Sequence, residues 1–234
     1  MRRFFAKLHL WLSLPAGILI SIICLSGAVL VFEQEITQAV RPELYQRQPQ
    51  PAGEGAQQVG KKQKRPSLPF FQTMRKVHRW LLDPPARKGE KSVGKVVVGV
   101  STLAMVVILV SGLVMWWPRT RRALRHRLTV TADKGRRRFW HDMHVSVGFY
   151  ATLLLLLMAL TGLTWSFGWC REAASWLLGG GPELKRLLYS LHTGSWGGLA
   201  TKVLYFVASL VGALLPWTGY YLWWKKRRNR HPGR

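Results

Sequence analysis

Four of the seven histidines have the residue type and the spacing to bind a metal or a haem. His9 and His144 each stand 18 residues before the glycine of a Ser-Gly or Thr-Gly dipeptide, and one more histidine, His78 or His192, comes after each dipeptide. A neutral imidazole is the commonest protein ligand for transition metals and a standard axial ligand for haem iron. We therefore take these four side chains as candidate ligands of a metal-containing cofactor.

The other three histidines have less specific surroundings. His126 stands in RALRHRL and His231 in the terminal tail, and both are predicted to be solvated among arginines. His141 lies about one helical turn before His144 on the same face and could replace it as a ligand. The spacing to the Thr-Gly dipeptide favours His144.

Long apolar stretches indicate which elements must position these histidines. Segments 10–32, 93–117, 145–169 and 199–224 are each apolar over the roughly 20 residues that a membrane-spanning helix needs. They lack the alternation of barrel strands, so helices must satisfy the backbone within the bilayer. The sequence therefore predicts an all-α integral membrane protein, a four-helix bundle. The first segment comes after a basic leader but has no small-residue cleavage site, and we expect a retained helix.

The two halves of the chain resemble each other. The first and third segments begin with His9 and His144, while the second and fourth share a glycine, two tryptophans and a basic cluster, in VSGLVMWWPRTRR (110–122) and WTGYYLWWKKRR (217–228). This repeat predicts two helical hairpins of like orientation, related by an axis along the membrane normal. The tryptophan pairs are predicted to anchor helix ends at the membrane interface.

The formal net charge of +25 is unevenly distributed. The leader, segment 118–144 and tail 225–234 have roughly twice the Lys and Arg density of the two other loops, 33–92 and 170–198. By the positive-inside rule the denser side is cytoplasmic, so both termini are predicted to be cytoplasmic. The positive charge then sets the orientation of the chain in the membrane and attracts anionic membrane lipids. We therefore expect no nucleic-acid partner.

The hairpins and their connections divide the chain into four regions. The first hairpin with its outer loop spans 1–117, a basic cytoplasmic linker spans 118–144, the second hairpin spans 145–224 and a basic tail spans 225–234. Within the outer loop, residues 46–67 are rich in Gln, Pro, Gly and Lys and are predicted to be a disordered linker. The next stretch, PSLPFFQTMRKVHRWLL, is predicted to form a short amphipathic helix at the interface.

The positions of the histidines along the spans predict two haems. Eighteen residues of helix cover about 27 Å, so the histidines of one hairpin lie near opposite faces of the bilayer. Each hairpin then supplies one ligand per haem, and the ligand pairs are His9 with His144 inside and His78 with His192 outside. Because the chain has no CxxCH motif for covalent attachment, we expect two haems of the b type.

Small residues near the inner pair allow two interpretations. They come after the histidines at helical spacing and are Ser13, Gly17 and Gly148. They are expected to leave room for a porphyrin edge, although such residues also serve ordinary helix packing in membranes.

Other chemistries fit the sequence less well. A zinc site takes three or four nearby nitrogen, sulfur or carboxylate ligands, whereas the acidic residues, Cys24 and Cys170 lie elsewhere. The chain has no HExxH, GxSxG, P-loop or GxGxxG motif. Proton or substrate transport is disfavoured because no acidic residue lies well inside a predicted span. We expect no catalytic acid or base beside the cofactor ligands.

In combination, several short motifs resemble the PepSY-associated transmembrane helix family of bacterial inner-membrane proteins. The motifs are LHLW (8–11), HRWL (78–81), SGLVMWWPR (111–119), HVSVG (144–148) and LHTG (191–194). The resemblance implies haem at the four candidate histidines and a multi-pass position in the bacterial inner membrane. Some members are di-haem ferric-siderophore reductases, which implies electron transfer from a cytoplasmic or quinol donor to ferric iron or a ferric siderophore outside.

The outer loop is too short for a folded recognition domain of the kind that larger relatives carry. Its basic residues would instead attract anionic ferric chelates. These residues are Lys61, Lys62, Lys64, Arg65, Arg75, Lys76 and Arg79. The sequence also leaves two alternatives: a haem-binding membrane subunit of a partner oxidoreductase, and a non-redox accessory or regulatory membrane protein with interfacial histidines.

Overall fold

Helices form the regular structure of the chain. The computed structural model describes residues 1–43, 67–87, 90 and 92–228, and these residues contain no strand. The predicted disordered linker, 46–67, lies outside the described residues except for Ser67.

The described residues contain ten α-helices and two short helical turns. In chain order they are α1 (Arg2–Val31), α2 (Glu33–Val40), α3 (Pro69–Trp80), α4 (Val93–Trp116), α5 (Arg121–Leu128), α6 (Arg136–Asp142), a π-helical turn (Met143–Val147), α7 (Gly148–Ser166), α8 (Gly168–Leu178), α9 (Pro182–Thr193), a 3-10 turn (Ser195–Gly197) and α10 (Gly198–Arg228).

Four of these helical stretches are long and apolar enough to cross a membrane. They are Arg2–Val31, Val93–Trp116, Arg136–Ser166 and Ser195–Arg228. The prediction of an all-α membrane protein with four spans is confirmed. We call the end of the bundle that holds Met1 and the last turn of α10 the inner end, and the opposite end the outer end.

The four spans form a bundle with an apolar centre. Helix α1 packs against α4 and α10, and α7 packs against the same two helices, so α1 and α7 lie diagonally opposite. Side chains from all four helices fill the centre: Ile20, Cys24, Met105, Leu109, Ala151, Leu155 and Ala213. Leu153 is 75% exposed and Val100 54% exposed on the outside of the same helices. Such an apolar exterior suits a protein that is surrounded by lipid.

The third span differs from its prediction at both ends. The sequence predicts a span over 145–169, whereas the helix runs from Arg136 to Ser166. It begins earlier because the basic residues before the apolar run are themselves good helix formers. It ends earlier because Phe167 adopts an extended backbone (φ −122°, ψ 131°). The predicted linker over 118–144 is therefore largely helical.

The tryptophan pairs are not the equivalent interfacial anchors that the sequence predicts. Trp117 and Trp224 are 68% and 51% exposed, which fits an anchor. Trp116 is only 9% exposed and stacks on Phe149 with 3.6 Å between ring centroids. For Trp116 the anchor prediction is wrong, because the side chain fills the interface between α4 and α7.

Two short helices cover the outer end. Helix α3 packs against α1 and α4, and α9 packs against α7. The predicted amphipathic helix is confirmed as α3, which begins at Pro69. Gly94 lets its end approach α4, because a Cβ atom at residue 94 would lie 1.8 Å from the Trp80 carbonyl oxygen. A side chain at this position would push α3, and the histidine it carries, away from the bundle.

Candidate cofactor site

The inner pair, His9 and His144, meets across the diagonal of the bundle. His9 lies on α1, and His144 lies in the π-helical turn at the start of the third span. The centroids of the two imidazole rings are 6.3 Å apart, and the rings are nearly perpendicular, at 89°. Two residues separated by more than half of the chain are thus neighbours at the inner end.

The outer pair, His78 and His192, meets at the other end. His78 lies in the last turn of α3 and His192 in the last turn of α9. Their ring centroids are 6.1 Å apart, with 59° between the ring planes. The edge of Trp165 also packs against His192, at 5.1 Å between centroids. The structure therefore brings the four predicted ligands together in the two predicted pairs.

Each inner histidine is held by the neighbouring span of its own hairpin. His9 Nδ1 lies 3.0 Å from the Ile108 carbonyl oxygen and 3.2 Å from Ser111 Oγ, both on α4. His144 Nδ1 lies 2.8 Å from Thr218 Oγ1 on α10. The Ser111 and Thr218 hydroxyls donate their own protons to backbone carbonyls. Each Nδ1 is therefore the donor in these contacts, and Nε2 is the nitrogen left for a metal.

The outer histidines are held in the same way by the first and third spans. His78 Nδ1 lies 2.8 Å from the Ile23 carbonyl oxygen and 3.4 Å from Ser26 Oγ on α1. His192 Nδ1 lies 2.9 Å from the Met158 carbonyl oxygen and 3.1 Å from Thr161 Oγ1 on α7. Every ring thus donates through Nδ1 and leaves Nε2 unprotonated.

A glycine comes directly after the hydroxyl residue at each of these contacts, and the imidazole lies against it. A Cβ atom at Gly27 would be 2.9 Å from His78 Cε1, and one at Gly162 would be 3.2 Å from His192 Cε1. At Gly112 the distance to His9 Cε1 is 3.4 Å, and at Gly219 the distance to His144 Cε1 is 3.5 Å. The contact is tighter at the outer pair, where any larger residue must displace the ring.

We call this arrangement the histidine cradle: a carbonyl or hydroxyl oxygen that accepts from Nδ1, and next to it a glycine under the ring. It occurs once in each span. Sequence reasoning used these Ser-Gly and Thr-Gly dipeptides only to align the repeat and missed their role as contacts of the ligands. The signal that could have shown it is their recurrence in all four spans, once for each candidate histidine.

Burial holds the outer imidazoles in their neutral form. It lowers the pKa of His78, and it lowers the pKa of His192 to about 4, although the hydrogen bond to a carbonyl partly opposes both shifts. Neutral imidazole is the form that binds a metal. Around neutral pH, His192 needs no deprotonation before it can act as a ligand.

The pair geometry fits a bis-imidazole haem. Metal–imidazole bonds are about 2.0–2.1 Å long and Nε2 lies about 1.1 Å from the ring centre, so a metal ion between two imidazoles separates their centroids by about 6.3 Å. The observed separations are 6.3 Å and 6.1 Å. Within the described residues, no three His, Cys, Asp or Glu side chains come together as metal ligands. Two ligands per site suit a metal-containing group that would supply its remaining ligands itself, as haem does.

The other described histidines and the cysteines are not members of the two pairs. His141 has a side chain that is 54% exposed and contacts Asp142, while His144 is the one that meets His9. His126 is exposed, and His231 lies outside the described residues. Both Cys24 and Cys170 are free thiols.

The small residues expected to leave room for a porphyrin edge are in fact covered by neighbouring side chains. A Cβ atom at Gly17 would lie 2.3 Å from the Tyr220 hydroxyl, which donates to the Leu14 carbonyl at 2.9 Å. Leu215 packs against Gly148 in the same manner. The Ser13 hydroxyl bonds within its own helix, to the Leu10 carbonyl. The expectation was wrong for Gly17 and Gly148, whose small size serves helix packing.

The basic residues of the outer loop are only partly described. Lys61, Lys62, Lys64 and Arg65 lie outside the described residues. Arg75 forms an ion pair with Glu33, and the Arg79 guanidinium lies 4.6 Å from the centroid of the Trp80 ring. Arg79 and the exposed Lys76 therefore remain on α3 as cations near the outer pair.

A comparison with protein families gives a match over nearly the whole chain. The model described as the PepSY-associated TM region matches residues 6–67, 53–182 and 171–226. The matched segments contain the four candidate histidine ligands and the four cradles. No curated protein matches the chain.

Proposed function

The chain belongs to the PepSY-associated TM family, and we propose that it carries electrons across a membrane by means of two b-type haems. The observation that carries this proposal is the repeated histidine cradle, which orients two pairs of imidazoles at opposite ends of one bundle. Interfacial histidines with no cofactor would not need four matched cradles. The positive-inside pattern supports an orientation with both termini in the cytoplasm, and the membrane we propose is the bacterial inner membrane.

The side chains of the site have a binding and tuning role. His9 and His144 would hold the inner haem, and His78 and His192 the outer one. Haem iron, when bound, supplies the one-electron chemistry that these side chains lack. The cradles keep each Nε2 unprotonated, and donation from Nδ1 makes each imidazole a stronger ligand. No residue beside the pairs is needed as a catalytic acid or base.

The apolar centre of the bundle separates the two pairs. Buried residues such as Ile20, Met105 and Leu155 fill the region between the inner and outer ends. This packing excludes water, so protons and small ions are kept from accompanying the electrons. Passage of electrons without an ion leak is what a membrane electron carrier requires.

We further propose a direction and an acceptor. The donor is a cytoplasmic reductant or a membrane quinol, and the acceptor is ferric iron or a ferric siderophore on the outer side. The cations Arg79 and Lys76 on α3 lie near the outer pair and would favour the approach of an anionic ferric chelate. The protein would then act as a ferric reductase in iron uptake.

Reconstituted protein tests this function. The haem-loaded protein is placed in liposomes that contain a reduced quinol, and a membrane-impermeant ferric chelate with a ferrous indicator is added outside. We expect ferrous iron to form, and we expect formation to stop in the variants His9→Ala and His78→Ala. Reduced haem without reduction of the chelate would instead favour a subunit that hands electrons to a partner oxidoreductase.

A further inference from the structure

The end of α5 and the extended residues that come after it lie along the start of the third span. The Tyr150 hydroxyl donates to the Leu128 carbonyl at 3.3 Å, and the Ser146 hydroxyl donates to the Thr129 carbonyl at 3.1 Å. One turn earlier, an Asp142 carboxylate oxygen accepts the Thr131 backbone N–H at 3.3 Å. The three side chains therefore face the same short segment of chain. We call residues 127–131 the inner strap.

The other end of the inner strap is fixed to the second span. Arg127 donates to the carbonyl oxygens of Met115, at 2.9 Å, and of Trp116. These are among the last carbonyls of α4, which have no partner within the helix. The inner strap therefore ties the end of one hairpin to the beginning of the next.

Asp142 is the buried charge of this contact. Its side chain is 3% exposed, and Arg138 Nε donates to it at 2.8 Å. A buried carboxylate is costly unless it is paired and hydrogen-bonded, so this network holds Asp142 in one place. The π-helical turn begins at the next residue, Met143, and contains His144. A π turn inserts a residue into the helical repeat and rotates the residues after it, and such turns are frequent at functional sites.

The start of the first span, all of which is described, has no counterpart of the π turn. Helix α1 is regular from Arg2 to Val31, with no π turn at His9. Lys7 stands two residues before His9, where Asp142 stands relative to His144. The two ligands of the inner pair are therefore oriented by different means, although their cradles are alike.

We propose that Asp142 and the inner strap are positioning elements that set the rotation of the third span and so direct His144 towards His9. Asp142, Ser146 and Tyr150 hold one face of the helix against the strap. The His144 ring, two residues after Asp142, lies on a different side of the helix, where it reaches Thr218 and His9. This inference rests on the proposed function, because it assigns His144 as a haem ligand.

The test uses the haem-loaded protein in detergent. Asp142→Asn keeps the shape and removes the charge, Ser146→Ala and Tyr150→Phe each remove one bond to the strap, and Asp133→Asn alters an exposed residue of the same linker as a control. Electron paramagnetic resonance of the ferric protein reports the ligand orientation at each haem. The signal that is lost in His9→Ala marks the inner haem.

We expect Asp142→Asn and Ser146→Ala to shift the inner-haem signal and to release the inner haem to apomyoglobin about tenfold faster, in line with other mutations behind a metal ligand. Tyr150→Phe should act in the same direction, and the outer-haem signal should not change. An unchanged inner signal in all three variants would overturn the inference, as would an equal change at both haems. Wild-type protein without any haem would overturn the proposed function, and this inference with it.

Discussion

His144 Nδ1 lies 2.8 Å from Thr218 Oγ1, and the Thr218 hydroxyl in turn lies 2.8 Å from the Leu215 carbonyl oxygen that accepts its proton. The chain of two hydrogen bonds fixes the tautomer of His144 and the plane of its ring. Of the four histidines, His144 has the shortest contact between Nδ1 and a hydroxyl oxygen. Its orientation therefore depends most on a single side chain.

Removal of the Thr218 hydroxyl should weaken haem binding at the inner site and leave binding at the outer site unchanged. In Thr218→Val, the shape is kept but His144 Nδ1 loses its hydroxyl acceptor, and we expect a loss of haem affinity at the inner site of about 10–100-fold. Thr218→Ser keeps the hydroxyl and should behave like the wild type. Haem transfer to apomyoglobin measures the change. Equal haem retention in Thr218→Val and Thr218→Ser would show that this bond does not support His144.

The glycines under the rings should tolerate alanine to different extents. In Gly27→Ala the new Cβ atom would lie 2.9 Å from His78 Cε1, closer than side chains pack, so the ring must shift. In Gly112→Ala the distance to His9 Cε1 is 3.4 Å, which is ordinary contact. We expect loss of the outer haem in the first variant and near-normal haem content in the second. Haem quantitation and absorption spectra measure both, and equal haem content in the two variants would contradict the role of the tight contact between Gly27 and the His78 ring.

Stability of the haem-free protein should depend on pH through His192. Burial lowers the pKa of His192 to about 4 from 6.5. Between these values the unfolded chain binds a proton that the folded protein does not, so the free energy of unfolding falls as the pH decreases below 6.5. Above the pKa that His192 has in the unfolded chain, the side chain is neutral in both states and the loss of stability disappears.

This effect is measured as the change in the thermal denaturation midpoint between about pH 7.5 and about pH 5. These two values lie on the order of one unit either side of the pKa of a free histidine. The midpoint should decrease on acidification, and His192→Gln, which cannot take up a proton, should show a smaller decrease. Wild type and His192→Gln with the same pH dependence would exclude His192 as the titrating group.

A native cysteine can report the orientation of the chain. Cys170 lies just beyond the outer end of the third span and is partly accessible, whereas Cys24 is buried in the centre of the bundle. If the termini are cytoplasmic, a membrane-impermeant maleimide should label intact spheroplasts at Cys170. Cys170→Ser serves as the background control. Labelling only after the cells are lysed would place the outer end in the cytoplasm.

The four membrane spans could be predicted from the sequence. A bilayer forces long apolar helices, and the repeat aligned His9 with His144 because both stand 18 residues before a dipeptide glycine. The cradles were harder to predict, since His9 and its acceptor Ile108 are separated by 99 residues and no local pattern links them. The π turn at His144 also escaped prediction, because it accompanies contacts of the inner strap and has no sequence pattern of its own.

Haem binding by both histidine pairs is the premise on which the proposed function depends. Oxidised and dithionite-reduced absorption spectra of the purified protein, with pyridine-haemochrome quantitation, show whether it holds. We expect about two b-type haems per chain with bis-histidine bands, and about one haem in each single substitution of His9, His78, His144 or His192. A protein that contains no haem after expression with ample haem supply would refute the premise, and would favour a non-redox membrane protein.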